Sequence, residues 1–223
     1  MVIPNIMRVR APASAAAAIP WYLSGGVNAA TQLAAYQPIG AADLAASYTN
    51  LAHPGTYDAA PGVAPSWTAA AGWSFNGSST YLTLGGLTVD DGWSMFCRFS
   101  DVPSPGTTIQ TAIGGKNGYS YSSIQPSYTG GRAYIEHESY RAQTPAASGV
   151  WGFAALQAYV NGVAAGAPMS SRAETYDALN IGRYSSGTPS HFGGKIQAIA
   201  IYNATLTADQ VAAITAAMAA LVG

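Results

Sequence analysis

The stretch FGGKIQAIAIYNATLTADQV, residues 192–211, decides the fold. A glycine pair precedes an alternation of isoleucine and alanine, which is typical of a strand with one face in the core. Thr207 and Gln210 then form a capping-box pattern, in which each side chain bonds to the backbone amide of the other residue. The stretch therefore predicts a final strand over residues 194–202 and a helix over residues 208–221.

The predicted helix carries its apolar side chains on one side. Val211, Ile214, Met218 and Leu221 recur at helical spacing, so they fall on one face. Leu206 and Val211 flank the capping box as a hydrophobic staple. We therefore expect a C-terminal helix that covers apolar surface on a sheet.

Further strands are expected upstream, because short alternating runs are separated by turn residues. In the run GWSMFCRFS (92–100), Met95, Cys97 and Phe99 share one face. The spacing of the turns is that of an all-β sandwich. The predicted strands are two runs within 73–84 joined by a hairpin turn at Asn76-Gly77, and the segments 92–100, 107–116, 118–124, 132–140, 153–160 and 177–183. A second two-residue hairpin turn is predicted at Asn161-Gly162, where both positions tolerate positive φ.

The first third of the chain has weaker periodicity. The stretch AADLAASYTNLA (41–52) predicts a short helix, and HPGTYDAAPGVAP (53–65) predicts a loop, because its prolines and glycines interrupt a hydrogen-bond ladder. Residues 1–30 contain two arginines and then an alanine run, but Pro12 interrupts the pattern of a signal peptide. We expect residues 1–30 to be an arm that is ordered by contact with another molecule.

The composition limits the classes of function. Charged residues make up 9% of the chain and the net charge is −1, whereas about 25% charged residues is usual. Such a surface suits a subunit of an assembly or an extracellular protein. The sequence has no basic run of the kind that predicts nucleic-acid binding. No apolar stretch reaches the roughly 18 residues of a membrane span. Because Cys97 is the single cysteine, the chain cannot form an internal disulfide. We predict that Cys97 is a small buried core residue.

Four motifs in order resemble the laminin-G-like, concanavalin A-like jelly-roll domains. They are FNGSSTYLTLGG (75–86), GWSMFCRFS (92–100), AYVNGVAAG (158–166) and LNIGRYSSGTPSHFGGKIQAIAIYNATLTADQVAAI (179–214). The resemblance implies one all-β, concanavalin A-like jelly-roll β-sandwich over residues 31–223, with the arm before it. Gln197 and Ala198 stand where the last strand of the family usually carries acidic residues, so that surface has lost charge.

The chain also resembles structural proteins of tailed phages. The likeness rests on the low charge, on PWYLSGG (20–26) and on the ending IQAIAIYNATLTADQVAAITAAMAAL (196–221). It implies a non-enzymatic decoration or fibre protein on a virion surface or another extracellular assembly. Residues 1–30 would then bind other protein subunits, and a homo-oligomer is compatible with this role.

A cluster of tyrosines is the candidate glycan site. Tyrosine rings offer apolar faces to sugars and a hydroxyl for hydrogen bonds. The same residues also favour strands and protein interfaces, so the two interpretations stay open. The candidate residues, all within 118–140, are Tyr119, Tyr121, Tyr128, Tyr134, Glu136, Glu138 and Tyr140.

Glu136 and Glu138 also raise the alternative of a glycoside hydrolase. Their spacing of two places them on one face of a strand, and two carboxylates about 5–5.5 Å apart suit a retaining mechanism. The Glu-x-Asp-x-x-Glu motif of such enzymes is absent, however, and so is a Gly-x-Ser-x-Gly motif. We therefore predict no catalytic residues, and a free carbohydrate-binding module remains the main alternative to an assembly protein.

Calcium is the one cofactor that the sequence leaves open. Asp90 and Asp91 precede a predicted strand and Asp101 follows it, and Asp177 is a further candidate. Laminin-G-like domains often hold calcium at a loop rim, and calcium requires six to eight oxygens. The alternative is that these aspartates are turn residues.

Overall fold

The computed structural model describes residues 18–87, 90, 92–117, 120–137, 139–170, 179–184 and 190–223. Two antiparallel sheets pack face to face, and a helix lies near the C-terminus. This confirms the predicted β-sandwich with a C-terminal helix. The strands are β1 (Gln32–Tyr36), β2 (Ala60–Val63), β3 (Ser66–Thr68), β4 (Gly72–Ser74), β5 (Tyr81–Thr83), β6 (Ser94–Ser100), β7 (Ile113–Asn117), β8 (Ser120–Tyr128), β9 (Arg132–His137), β10 (Ser139–Gln143), β11 (Gly149–Ala154), β12 (Gln157–Val160), β13 (Val163–Ala164), β14 (Asn180–Ile181) and β15 (Lys195–Tyr202), and the helices are α1 (Leu44–Ser47) and α2 (Ala208–Ala220).

Each sheet combines strands that are distant in the sequence. Within the described ranges, the first sheet has eight strands in the order β13-β12-β11-β6-β15-β4-β3, and β1 also pairs with β15. The second sheet has seven strands in the order β10-β9-β8-β7-β14-β5-β2. Neighbours such as β6 and β15 are about 100 residues apart along the chain, so long-range pairing holds the sandwich together.

Strand β15, which the stretch 192–211 predicted, lies in the middle of the first sheet. Its isoleucines Ile196, Ile199 and Ile201 are buried in the core between the sheets. The register with β6 shifts between Ile196 and Ala198, so a β-bulge at Gln197 changes the alternation by one residue. Ala198 and Ala200 consequently point to the other face of the sheet, where α2 packs.

Helix α2 covers the outer face of the first sheet. Thr207 and Gln210 form the predicted capping box, and Val211, Ile214 and Met218 are buried against the sheet. At the other end of the helix, the Arg98 guanidinium donates to the Met218 and Leu221 carbonyls at 2.8 and 2.7 Å. The outer face of the second sheet, by contrast, is not covered by α2.

The two predicted hairpin turns have different outcomes. Asn161 and Gly162 join β12 to β13 and both have positive φ, 50° and 82°, so this hairpin is confirmed. The hairpin predicted at Asn76-Gly77 is wrong, because β4 belongs to the first sheet and β5 to the second. The Asn76 side chain instead accepts hydrogen bonds from the amides of residues 78, 79 and 80, which stabilises a crossing between the sheets.

Several predicted boundaries are corrected. The strand expected over 107–116 begins only at Ile113, and the run 153–160 is two strands with a turn at Ala155, whose φ is 46°. The predicted loop 53–65 contains β2, which tolerates Pro61 because it is an edge strand. The short helix predicted within 41–52 is confirmed as α1, which Asp43 caps.

The segment 18–30 packs on the sandwich. Trp21 and Leu23 lie against the apolar cluster beneath α2, and Val27 belongs to it. The Tyr202 hydroxyl donates to the Tyr22 carbonyl at 2.8 Å. Residues 1–17 of the expected arm lie outside the described residues.

The single cysteine, Cys97, belongs to the core between the sheets. Cys97 is fully buried, and burial raises the pKa of its thiol, so it is a core residue as predicted. In the described ranges, no helix has the length and hydropathy to cross a membrane.

Candidate functional site

A row of outward-facing residues crosses the second sheet. The strand register places Thr83, Asn180, Gly114, Ser123 and Glu136 side by side on β5, β14, β7, β8 and β9. Their neighbours along β8 and β9, Ile124 and Ile135, point into the core. Because side chains alternate along a strand, the row lies on the outer face of the sheet.

Glu136 is the centre of a polar network on this face. The Ser123 and Tyr184 hydroxyls each donate to its Oε2 at 2.7 Å, and the Gln125 amide donates to the same oxygen. Among the described residues, Glu136 Oε1 receives no hydrogen bond. The hydrogen bonds to Oε2 thus hold the carboxylate in place, and Oε1 can accept a hydrogen bond from a hydroxyl group.

Burial raises the pKa of Glu136, although the hydrogen bonds from Ser123, Tyr184 and Gln125 oppose this effect. Burial disfavours the charged form, whereas donors to the carboxylate favour it. The stability that depends on this group is fully present below its unfolded-state pKa. That stability is lost as the pH rises through the higher folded-state pKa.

We therefore predict that Glu136→Gln changes the pH dependence of stability. The free energy of unfolding of the variant, minus that of the wild type, should increase from pH 4 to pH 7, because only the wild type must ionise a buried group. Urea unfolding at several pH values measures this difference. Asp209→Asn, on α2, is the control and should show no such increase. A difference for Glu136→Gln that falls with pH would contradict the burial argument.

Tyr184 is placed by a fixed loop after β14. Gly182 has a φ of +87°, and a side chain there would overlap the Phe75 ring. Its amide donates to Ala112 at 2.7 Å, and its carbonyl accepts from Phe192 at 2.8 Å. The Tyr184 ring then lies over Gly114, where a Cβ would be only 2.9 Å from Tyr184 Cδ1. The absence of a side chain at Gly114 therefore lets Tyr184 reach Glu136.

Gln125 is buried, although its side chain lies on the outer face of the second sheet and not in the core between the sheets. Its exposed fraction is 0% although it shares the outer face with Ser123 and Glu136. Its Nε2 contacts the Ser123, Glu136 and Tyr184 side-chain oxygens, and its Oε1 has no hydrogen-bond partner. A buried amide oxygen without a hydrogen-bond partner is unfavourable, and this atom is enclosed by the protein rather than open to a ligand.

Two of the predicted tyrosines adjoin this network. The rings of Tyr128 and Tyr134 meet edge to face with centroids 4.8 Å apart, and Tyr134 lies opposite Gln125 in the sheet. Only 8% of Tyr134 is exposed, so its ring offers little surface for stacking. Tyr128 is partly exposed.

The remaining predicted glycan residues are less fully described. Tyr119 and Glu138 lie outside the described residues, and Tyr121 and Tyr140 are placed only by their strands, β8 and β10. The sequence interpretation missed Ser123, Gln125 and Tyr184. Ser123 and Gln125 alternate with Ile124 and could have been assigned to the outer face, whereas nothing in the sequence signals the position of the Tyr184 ring.

The aspartates proposed for calcium do not form one site. The Asp90 carboxylate accepts from the Gly92 amide at 3.0 Å, as in a turn. Asp101 forms an ion pair with Lys195 at 2.6 Å. The two aspartates flank the seven residues of β6, roughly 20 Å apart at strand spacing, so they do not share an ion. Asp91 and Asp177 lie outside the described residues, and the described part of the chain has no group of three or more His, Cys, Asp or Glu that could hold a metal.

Residues 76–212 match the family model of the concanavalin A-like lectin/glucanases superfamily. The match covers more than half of the chain, and the protein belongs to this superfamily. The search of curated proteins found no match.

Solved structures share the fold at low sequence identity. Domain 4 of AbnA, a GH43 extracellular arabinanase from Geobacillus stearothermophilus solved with arabinotriose, is 16% identical with a TM-score of 0.55. The alignment covers 83% of this chain and 98% of that chain. A mutant of Trypanosoma rangeli sialidase that displays trans-sialidase activity is 13% identical with a TM-score of 0.57, and this chain spans 33% of it. At such identities the likeness shows the fold alone.

Proposed function

We propose that the protein is a non-enzymatic carbohydrate-binding protein and that the Glu136 network on the outer face of the second sheet holds the glycan. One observation carries the proposal. A carboxylate, an amide and two hydroxyls form a network outside the core, and no described residue donates a hydrogen bond to Glu136 Oε1. Sugar hydroxyls are donors for such an atom, and the partly exposed Tyr184 ring offers an apolar face.

A retaining glycosidase needs a second carboxylate about 5–5.5 Å from the first. Glu136 is the one carboxylate in the network among the residues that the structure describes. The aspartates at 43, 58, 90, 101 and 209 belong to other parts of the fold. Glu138, the second carboxylate of the hydrolase hypothesis, lies outside the described residues.

Glycan binding should be lost when the network is altered. In titration calorimetry against a panel of soluble polysaccharides, the wild type should bind at least one. Glu136→Gln and Tyr184→Phe should weaken that binding about tenfold or more, as expected for loss of a hydrogen bond to a charged group. Asp209→Asn is the matched control, because α2 lies on the opposite side of the sandwich.

Two results would contradict this function. If the wild type binds no glycan of the panel, the binding proposal is wrong. If the wild type releases reducing sugar from a polysaccharide and Glu136→Gln does not, the protein is a hydrolase and the non-enzymatic part is wrong.

We further propose that the domain is displayed on a larger assembly, such as a phage virion surface, and that residues 1–17 attach it. The low content of charged residues, 9%, favours this setting. The exposure of Val163 and Val222, at 69% and 80%, adds apolar contact surface.

Truncation tests the attachment. A chain that begins at Ala18 should stay folded and no longer sediment with the native particle. A chain that begins at Thr31 should in addition lose about 2 kcal/mol or more of stability, because Trp21 and Val27 pack beneath α2. Full incorporation of the Ala18 chain would contradict the proposal.

A further inference from the structure

We propose that Arg183 forms a second subsite on the outer face of the second sheet and binds a carboxylate group, so that the glycan is acidic. This inference rests on the proposed glycan-binding function and adds the chemical class of the ligand. Arg183 directly precedes Tyr184, so the loop that completes the Glu136 network also carries the guanidinium.

The Arg183 guanidinium is held in one place by an aromatic ring. Its Cζ lies 3.4 Å above the ring centroid of Tyr81 on β5. That ring in turn lies across Gly62 on β2, where any side chain would overlap it. A cation over a tyrosine face is attracted to the ring, and the contact positions the guanidinium before any ligand binds.

No carboxylate in the described part of the chain neutralises Arg183. Its partly buried side chain has an Nε without a hydrogen-bond partner. The described carboxylates are engaged elsewhere: Asp43 on the Ala46 amide, Asp58 on the Asn50 and Gly55 amides, Asp90 on Gly92, Asp101 on Lys195, Glu136 in its network, and Asp209 in the first turn of α2. The neighbouring segment SSGTP (185–189) contains no acidic residue.

Three other cations among the described residues have oxygen partners. Arg98 caps the carbonyls at the end of α2, and Arg141 donates to the Ala167 and Pro168 carbonyls. Lys195 is paired with Asp101. A partly buried cation is normally satisfied in this way, whereas Arg183 has no such partner among the described residues, and an anionic ligand would supply one.

His191 contributes an imidazole beside Arg183. Burial lowers the pKa of His191, and the nearby Arg183 charge lowers it further. His191 lies next to Phe192, whose amide bonds to the Gly182 carbonyl at 2.8 Å, so the loop with His191 lies beside the loop with Arg183. A ring N–H next to a guanidinium adds a donor for an anion.

The chemistry and the spacing together define the ligand. A guanidinium presents a planar pair of donors that matches a carboxylate. In the sheet, β5 and β9 are four strands apart, about 19 Å at the usual spacing of 4.8 Å. A ligand that contacts both Arg183 and Glu136 is therefore an oligosaccharide with at least one carboxylate-bearing sugar.

A glycan array with carboxylate-bearing oligosaccharides and their methyl esters tests the inference. The esters keep the same chain and remove only the charge. The wild type should prefer the acids by about tenfold to a hundredfold, as expected for a charge-assisted hydrogen bond. Arg183→Gln should abolish the preference, and Arg183→Lys should restore only part of it. Lys195→Gln, a loss of the same charge outside the site, should leave the preference unchanged.

The outcomes separate this inference from the proposed function. If the wild type binds esters as well as acids, and Glu136→Gln abolishes both, the glycan site stands and the acidic subsite is wrong. A preference for acids that survives in Arg183→Gln also overturns the subsite, and so does a preference for sulfated over carboxylated glycans. If the wild type binds nothing on the array, both proposals are wrong.

Discussion

Gly152→Ala should lower the free energy of unfolding by about 3 kcal/mol or more, because the new methyl group has no space. Gly152 lies in β11 opposite Phe96 of β6 and Tyr159 of β12. The Phe96 and Tyr159 rings have centroids 6.4 Å apart. A Cβ on Gly152 would overlap the Met95 carbonyl oxygen and the Phe96 ring, and would lie 2.9 Å from the Phe96 Cα.

The measurement is urea unfolding followed by tryptophan fluorescence. Gly85→Ala is the matched control, since a Cβ there meets no atom within 4 Å and the backbone does not have positive φ. The free energy of unfolding of the control should differ from that of the wild type by about 0.5 kcal/mol at most. If Gly152→Ala were as stable as Gly85→Ala, the close approach of β6 and β11 would be wrong.

Asn50→Ala should lower the free energy of unfolding by about 3–5 kcal/mol, because four backbone groups lose their hydrogen-bond partner. Asn50 is fully buried. Its Nδ2 donates to the Leu33 and Thr56 carbonyls at 2.9 and 2.8 Å. Its Oδ1 accepts from the Ala35 and Ala52 amides at 2.9 and 3.1 Å. One side chain thus joins β1 to the loop that follows α1.

The same urea experiment measures this effect. Asn203→Ala removes an exposed asparagine at the end of β15 and should change stability by about 0.5 kcal/mol at most. Equal midpoints for Asn50→Ala and Asn203→Ala would show that the buried hydrogen bonds of Asn50 contribute little.

The parts of the fold that the sequence predicted are those whose signals are local. The alternation in β6, the Asn161-Gly162 turn and the capping box of α2 each depend on residues close in sequence, and each is confirmed. By contrast, β1 is stabilised by pairing with β15, far along the chain. The Asn76-Gly77 prediction was wrong for the same reason, because only the distant partners of β4 and β5 determine their sheets.

The candidate site was predictable only in part. Glu136 and Tyr134 could be placed on one face of a strand, because side chains alternate. The network itself depends on Tyr184, which comes from a loop 48 residues away, and on the bare backbone at Gly114 that admits its ring. Sequence spacing does not show which loop folds over which strand, so Tyr184 and Arg183 became visible only in three dimensions.

The most direct test of the proposed site is an NMR titration of ¹⁵N-labelled protein with the glycan that binds best on the array. The backbone amides of Gly114, Ser123, Gln125 and Glu136 should shift on addition of glycan, since these residues line the outer face of the second sheet. The amides of α2, on the opposite side of the sandwich, should remain in place. Shifts confined to α2 or to the edge strands would contradict the proposed glycan site.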